Sequence, residues 1–297
     1  MTAPLSISLA GRDLLRIGDL APAEAEAILD LAVDLKGGAQ PLAPGATLGM
    51  YFAKHSTRTR VSFSVAIAHL GGTPVALTPE ELQISRGESL PDTARALSRY
   101  LDVIAVRTFA HAELEEWAEF ATIPVINALT DEEHPCQALA DALTIRDRLG
   151  TLEGVRVAWV GDGTNVLDSL ASLGSLLGYE VVAACPPGYE PTSDVLLVSD
   201  PREAVESADV VVTDTWISMG QEAEAEQRLR DLEPYRLDEA LLRLAAPDAF
   251  VMHCLPAHPG EEITGDVLYG PRSAIWDEAE NRLHVQKALL AMLLGVA

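Results

Sequence analysis

Residues 47 to 70, TLGMYFAKHSTRTRVSFSVAIAHL, leave this chain few folds to choose from. The apolar run from Thr47 to Phe52 reads as a buried strand. A short break at Ala53, Lys54 and His55 leads into an apolar-periodic helix that Gly71-Gly72 closes. Ser56-Thr57-Arg58-Thr59-Arg60 therefore falls at a strand-to-helix turn. The first turn of a helix has unpaired backbone N–H groups and the positive end of the macrodipole, so it attracts anions. Hydroxyl donors and a guanidinium fork added there make a cradle for a phosphate dianion. A plain N-cap with solvated arginines would account for Ser-Thr alone. Five consecutive donor-bearing residues at this junction favour the anion site.

Composition sharpens that reading. The 297 residues carry a net charge of −24, with arginine far outnumbering lysine. Such a balance argues against nucleic acid and anionic membrane surfaces as partners, since both require a basic face. An acidic protein that binds an anion must concentrate its few cations locally, so arginines amid apolar sequence are worth following. The length suits about two domains, each able to bury a core. The first residues, MTAPLSISLAGRDLL, lack the basic and apolar regions of a secretory signal. No stretch approaches the roughly 18 apolar residues of a membrane helix. A cytoplasmic protein is expected. Cys136, Cys185 and Cys254 are odd in number and far apart, so no disulfide framework is implied.

In chain order, residues 17 to 36 read as an amphipathic helix with Asp19 or Ala21-Pro22 near its start, closed by Gly37-Gly38. A strand at Thr73 to Leu77 precedes the loop Thr78 to Glu88, which contains LQISRGES. Ser89 opens a helix running to Tyr100. Val103 to Val106 form a buried strand ending at Arg107, followed by a helix from Ala112 to Phe120 and a strand from Pro124 to Asn127. This alternation predicts a parallel, doubly wound sheet. Arg107 then sits at a strand's carboxyl end, the edge where open α/β sheets bind ligands. His134-Pro135-Cys136-Gln137 opens a helix to Leu149, with Pro135 suited to its first turn.

A second alternating region follows Gly150 to Gly154. Val155 to Val160 form a strand, Gly161-Asp162-Gly163-Thr164-Asn165 a glycine turn, and Val166 to Leu177 a helix. After a strand, GDG could suggest a dinucleotide fingerprint. The third glycine position is Val166, however, and no acidic residue closes the next strand, Glu180 to Ala184. Residues 185 to 199 are cramped for a crossover helix. Val210 to Thr213 form a strand ending in Asp214-Thr215-Trp216-Ile217-Ser218-Met219-Gly220, and Phe250 to His253 another ending in Cys254-Leu255-Pro256. His253, Cys254 and His258 match no standard zinc spacing and have no fourth ligand nearby, so no metal is expected. A last helix from Asp277 to Leu294 carries Arg282 near its start.

Taken together, STRTR followed by Ser62-Phe63, HPCQ, DTWISMG, HCLP and Arg282 resemble the aspartate/ornithine carbamoyltransferase family, in family order and over nearly the whole chain. The resemblance implies an α/β fold of two doubly wound parallel-sheet domains with an interdomain active-site cleft. Residues 1–149, joined by the C-terminal helix 277–297, would bind carbamoyl phosphate, and residues 150–276 would bind ornithine. It implies transfer of the carbamoyl group to the δ-amine of L-ornithine, giving L-citrulline and phosphate, as a step of arginine biosynthesis. By that resemblance Ser56, Thr57, Arg58, Thr59, Gln83, Arg107, His134, Gln137 and Arg282 bind the donor, with His134 and Gln137 on its carbonyl and amide. Asn165, Asp214, Ser218, Met219, Cys254 and Leu255 bind the acceptor. Arg58, Arg107, His134, Cys254 and Arg282 are the expected catalytic residues, and no cofactor is implied. The loop carrying Gln83 would reach a neighbouring subunit's site, implying a homotrimer or a multiple of it.

The sequence departs from the family at two places. Ser64 stands where glutamate usually follows Ser-Phe, and altered helix packing or subunit contact is expected there. The shortened 185–199 segment is expected to be a trimmed surface element remote from every motif. Competing readings are a carbamoyltransferase using aspartate, putrescine or N-acetylornithine, a non-catalytic relative that keeps the fold, and an NAD-dependent oxidoreductase built on Gly161 to Asn165.

Overall fold

The computed structural model describes residues 7–297. The chain divides into two compact units, one of residues up to 140 together with 282–297, the other of residues 141–281.

In the first unit, strands β1 (Thr47–Phe52), β2 (Thr73–Leu77), β3 (Val103–Arg107) and β4 (Val125–Leu129) form a parallel sheet in the order β2-β1-β3-β4. Helices α1 (Pro22–Asp34), α2 (Arg58–His69), α3 (Leu90–Leu97) and α4 (His111–Phe120) connect them, and α5 (Pro135–Leu149) starts here. Every residue of β3 is buried, as expected of a central parallel strand covered on both faces. On one face Tyr51, Ile104, Val106, Leu114, Trp117 and Val125 form a core, with the Tyr51 and Trp117 rings 5.1 Å apart. Burying each such side chain contributes about 1.5–3 kcal/mol before the entropy of ordering is subtracted.

The second unit is a five-stranded parallel sheet ordered β7-β6-β5-β8-β9, from β5 (Arg156–Val160), β6 (Glu180–Ala184), β7 (Leu196–Val198), β8 (Val210–Val212) and β9 (Phe250–Met252). It carries α6 (Asn165–Leu177), α7 (Pro201–Val205), α8 (Ala225–Leu232), α9 (Glu239–Leu242) and α10 (Gly265–Leu268). Helix α11 (Ile275–Leu293) begins here and ends in the first unit. Val160, Val182, Val211, Leu237, Val251 and Ile263 belong to one core cluster of this sheet. Among the described residues no helix is long and apolar enough to cross a membrane.

One sequence expectation changes, and two others gain a local physical account. The helix expected over 17–36 starts at Ala21-Pro22, the second of the two starts the sequence offers: Ala21 is its N-cap and Pro22 its first residue, while Asp19 accepts from the Leu15 and Arg16 amides and closes a separate 3₁₀ turn, Ile17–Asp19. The Ser64 hydroxyl donates to Arg60 O at 2.7 Å, satisfying itself within α2. The 185–199 segment is neither helical nor remote from the motifs. It ends in an edge strand, β7, and lies on the glycine turn: the Gly163 N–H donates to Tyr189 O at 2.8 Å. Asp168 of α6 fastens it further, accepting from the Thr192 hydroxyl at 2.6 Å and the Ser193 N–H at 2.8 Å.

Candidate active site

In the first unit, strand register assembles the site. Phe52, the last residue of β1, lies beside Arg107, the last of β3, and the Ala53 N–H donates to Arg107 O at 2.8 Å. The turn leading to Arg58 is thus pinned to the strand end that carries Arg107. Residue 107 also pairs with Leu129 across a register shift, which places the loop to His134 on the same edge. Buried Lys54, which sequence reasoning assigned no role, pairs with Asp131 of that loop and stands 4.3 Å over the Phe109 ring. Asp131 is the acidic loop residue that could have signalled this pair.

Ser56 caps the start of α2, its Oγ accepting from the Thr59 N–H at 3.2 Å. The Thr59 hydroxyl is buried and accepts from Arg282 Nη2 at 2.6 Å, which keeps its own O–H for another oxygen. Arg282 lies two turns inside α11 and is buried, whereas the sequence placed it near the helix start. His134 and Gln137 are buried at the start of α5. Burial, followed by the charges of Arg282, Arg107 and Arg58, holds the His134 imidazole well below its ordinary range, so it is neutral at pH 7. Neighbouring Cys136 is pushed up to about 12 by burial, with Arg282 opposing, and donates to Asn127 O. It is a core thiol, not a nucleophile. Ser56 and Arg58 are part-buried, Thr57 is exposed, and Gln83 is exposed on the 3₁₀ turn Gln83–Arg86.

The sign of the His134 shift gives a measurable consequence. An unfolded histidine takes a proton near pH 6.5, and the folded state refuses it, so stability present above that pH is lost as the pH falls below it. Between about pH 7 and 5.5, the melting temperature of the wild type should fall more than that of His134→Gln, at up to about 1.4 kcal/mol per pH unit. Equal pH slopes in the two proteins would contradict a neutral buried His134.

In the second unit three strand ends lie side by side. Trp159 pairs with Val212 and Val212 with Met252, so the turns at 161–165, 213–220 and 253–256 leave one edge of the sheet. Asp214 collects their donors. Its carboxylate accepts from the Cys254 thiol at 3.0 Å, the Thr164 hydroxyl at 3.1 Å and the Thr215 N–H at 2.8 Å. Thr164, the N-cap of α6, was missed at the sequence level; a threonine directly after GDG was its signal. Burial first, then Asp214, Glu278 and Asp141, raises the Cys254 thiol well above its ordinary value, so it stays protonated and donates. Leu255 holds a positive φ of 60°, and its N–H donates to His253 Nδ1 at 2.9 Å. His253 Nε2 then faces Glu262 Oε1 at 3.1 Å, and the His253 N–H donates to Glu278 at 2.7 Å. Asn165 opens α6, Ser218 is part-buried and Met219 is 42% exposed.

Asp214, His253 and Cys254 bring potential metal-ligand atoms within 4.8 Å of one another, as do His258, Glu261 and Glu262. In the first group both His253 ring nitrogens and the thiol are engaged in the hydrogen bonds just described. The glycine turn is equally committed. Gly163 has given its N–H to Tyr189, and a Cβ there would run into the Pro191 nitrogen. A dinucleotide-binding turn needs such amides and that open space for a pyrophosphate.

Comparison with known proteins also finds two parts. Residues 12–147 match the carbamoyl-P binding domain of the aspartate/ornithine carbamoyltransferases, and residues 153–293 match their Asp/Orn binding domain. The chain is 51% identical to the ornithine carbamoyltransferase of Pyrococcus abyssi, over 97% of this chain and 98% of that protein. It is 50% identical to the anabolic ornithine carbamoyltransferase of Pyrococcus furiosus, with the same coverage. A solved ornithine carbamoyltransferase from Pyrococcus furiosus superposes with a TM-score of 0.93, covering 97% of this chain and 99% of that one. With its two parallel sheets and these matches along nearly its full length, the chain belongs to the aspartate/ornithine carbamoyltransferase family.

Proposed function

We propose that the chain transfers the carbamoyl group of carbamoyl phosphate to the δ-amine of L-ornithine, giving L-citrulline and phosphate. The observation that carries this reading is the convergence of Arg58, Arg107 and Arg282 on a buried, neutral His134 in a protein of net charge −24. Three guanidinium groups directed at one neutral imidazole suit a doubly charged phosphate with a carbonyl beside it.

In the reaction, the neutral δ-nitrogen forms a bond to the carbonyl carbon, and the bond from that carbon to the phosphate oxygen breaks. The proton given up by the amine leaves with the phosphate. Ser56, Thr57, Arg58 and Thr59 take the phosphate oxygens, and Arg107 spans phosphate and carbonyl. Neutral His134 donates an N–H to the carbonyl oxygen as charge builds there, Gln137 holds the amide, and Arg282 adds positive charge while accepting no proton. On the acceptor, Asp214 takes the α-ammonium, Asn165 and the Ser218-Met219 backbone take the α-carboxylate, and Cys254 and Leu255 border the reacting end. The residues bind, orient and stabilise charge, and form no covalent intermediate. The relatives' names support ornithine as acceptor. A stopped assay should give citrulline and phosphate in equal amounts from the two substrates; phosphate release without citrulline would contradict transfer.

The exposed Gln83 turn supports a homotrimer, or a multiple of it, in which Gln83 completes a neighbour's donor site, and the anabolic relative supports a cytoplasmic biosynthetic role. Two proteins inactive alone, Gln83→Ala and Arg58→Gly, should regain part of the wild-type rate when refolded together, approaching about a quarter of the sites in a random mixture. Mixed oligomers with no recovered activity would exclude a shared site.

A further inference from the structure

Arg228 lies on α8, outside every motif of the sequence reading, yet it is almost wholly buried. Its Nε donates to the Trp216 carbonyl at 2.6 Å, and its Nη2 pairs with Asp162. The guanidinium carbon stands 4.9 Å over the Tyr189 ring. Each partner belongs to a different loop. Trp216 is the third residue of DTWISMG, Asp162 is in the glycine turn, and Tyr189 is in the shortened segment after β6.

Further contacts hold these loops in place. Tyr189 O accepts from Gly163, the Tyr189 hydroxyl donates to Asp231 of α8 at 3.0 Å, and Trp159 Nε1 donates to Asp162 O at 2.9 Å. Gly161, with φ of 125°, sits so close to Trp216 that a Cβ would lie 3.3 Å from its indole nitrogen. Burial pushes the Asp162 carboxyl up to about 6, Arg228 opposing and Asp214 adding to the rise.

Resting on the functional reading above, we infer that Arg228 is a positioning residue for the acceptor side. Its planar fork fixes the Trp216 carbonyl, and with it the run from Asp214 to Gly220, against a platform made by Asp162 and Tyr189. A guanidinium can donate in two directions and stack at once, which an ammonium cannot reproduce. The shortened 186–193 segment thereby brings a stacking ring to the acceptor loop.

The test compares wild type, Arg228→Met and the double variant Asp162→Asn/Arg228→Met. The double variant removes both buried charges together, so it folds even where the single one, left with an unpaired carboxylate, does not. Two quantities are read: KM for each substrate, and amide hydrogen exchange in the peptide covering residues 213–221. A buried carbonyl that loses its donor is worth roughly tenfold here, so the double variant should raise the ornithine KM and the exchange rate by about that factor. The carbamoyl phosphate KM should stay within about twofold. A double variant with wild-type exchange and wild-type ornithine KM would reduce Arg228 to a counterion for Asp162 and overturn the inference. Equal rises in both KM values would overturn it too, as general destabilisation. Should the wild type make no citrulline, the functional reading fails, while the exchange rates still decide whether Arg228 holds the loop.

Discussion

Arg58→Gly should lower kcat/KM for carbamoyl phosphate by about a hundred- to a thousandfold, the loss seen when a preorganised charge-stabilising donor is removed. Arg58 is the first residue of α2, so its guanidinium adds to the unpaired amides of that turn. Its field is one of three that bear on His134. Glycine removes the charge and loosens the helix start together. Arg58→Lys keeps the charge without the fork and should fall between glycine and wild type. A loss below about tenfold, roughly 1.4 kcal/mol of barrier, would remove Arg58 from the phosphate site.

Asp214→Asn should act on the other substrate. The buried carboxylate accepts from Cys254, Thr164 and Thr215, and an incoming ammonium would be its only charged partner in that set. Losing one partner of a desolvated charge pair costs about 3–5 kcal/mol. That corresponds to a drop of roughly two to three and a half powers of ten in kcat/KM for ornithine, with the donor KM within about twofold. A second readout follows from the thiol. Asp214 is, after burial, the main reason the Cys254 proton is held so tightly, so Asp214→Asn should lower the thiol pKa and speed alkylation by iodoacetamide. Unchanged alkylation together with an unchanged ornithine KM would separate Asp214 from the acceptor.

Elements whose burial is written into consecutive residues were legible in the sequence. The bounds of β1, β2 and α5 agree with the expectation, and β3 extends it by the one residue, Arg107, that matters chemically. Central parallel strands are apolar on both faces and need no partner to be recognised. Strand β7 escaped because it is an edge: Leu196 and Leu197 are 56% and 42% exposed, and the segment before it carries turn residues. The residues proposed to hold the donor stood out because their hydroxyl and guanidinium groups cluster within short motifs. Lys54, Thr164 and Arg228 did not, because each acts on a residue brought near only by folding; the threonine after GDG and the acidic Asp131 were local hints that named no partner, and Arg228 had none. The 185–199 segment failed for the same reason: its length showed that a helix was missing, but only the fold showed that Tyr189 covers Gly163.

Steady-state kinetics with carbamoyl phosphate and a panel of amines tests the central claim most directly. With L-ornithine, L-aspartate, putrescine and N-acetylornithine offered in turn, ornithine should exceed every other acceptor in kcat/KM by at least about a hundredfold, since a site built to pair buried polar groups rejects a ligand that leaves them unpaired. Faster carbamoylation of any other amine, or no carbamoylated product at all, would contradict it.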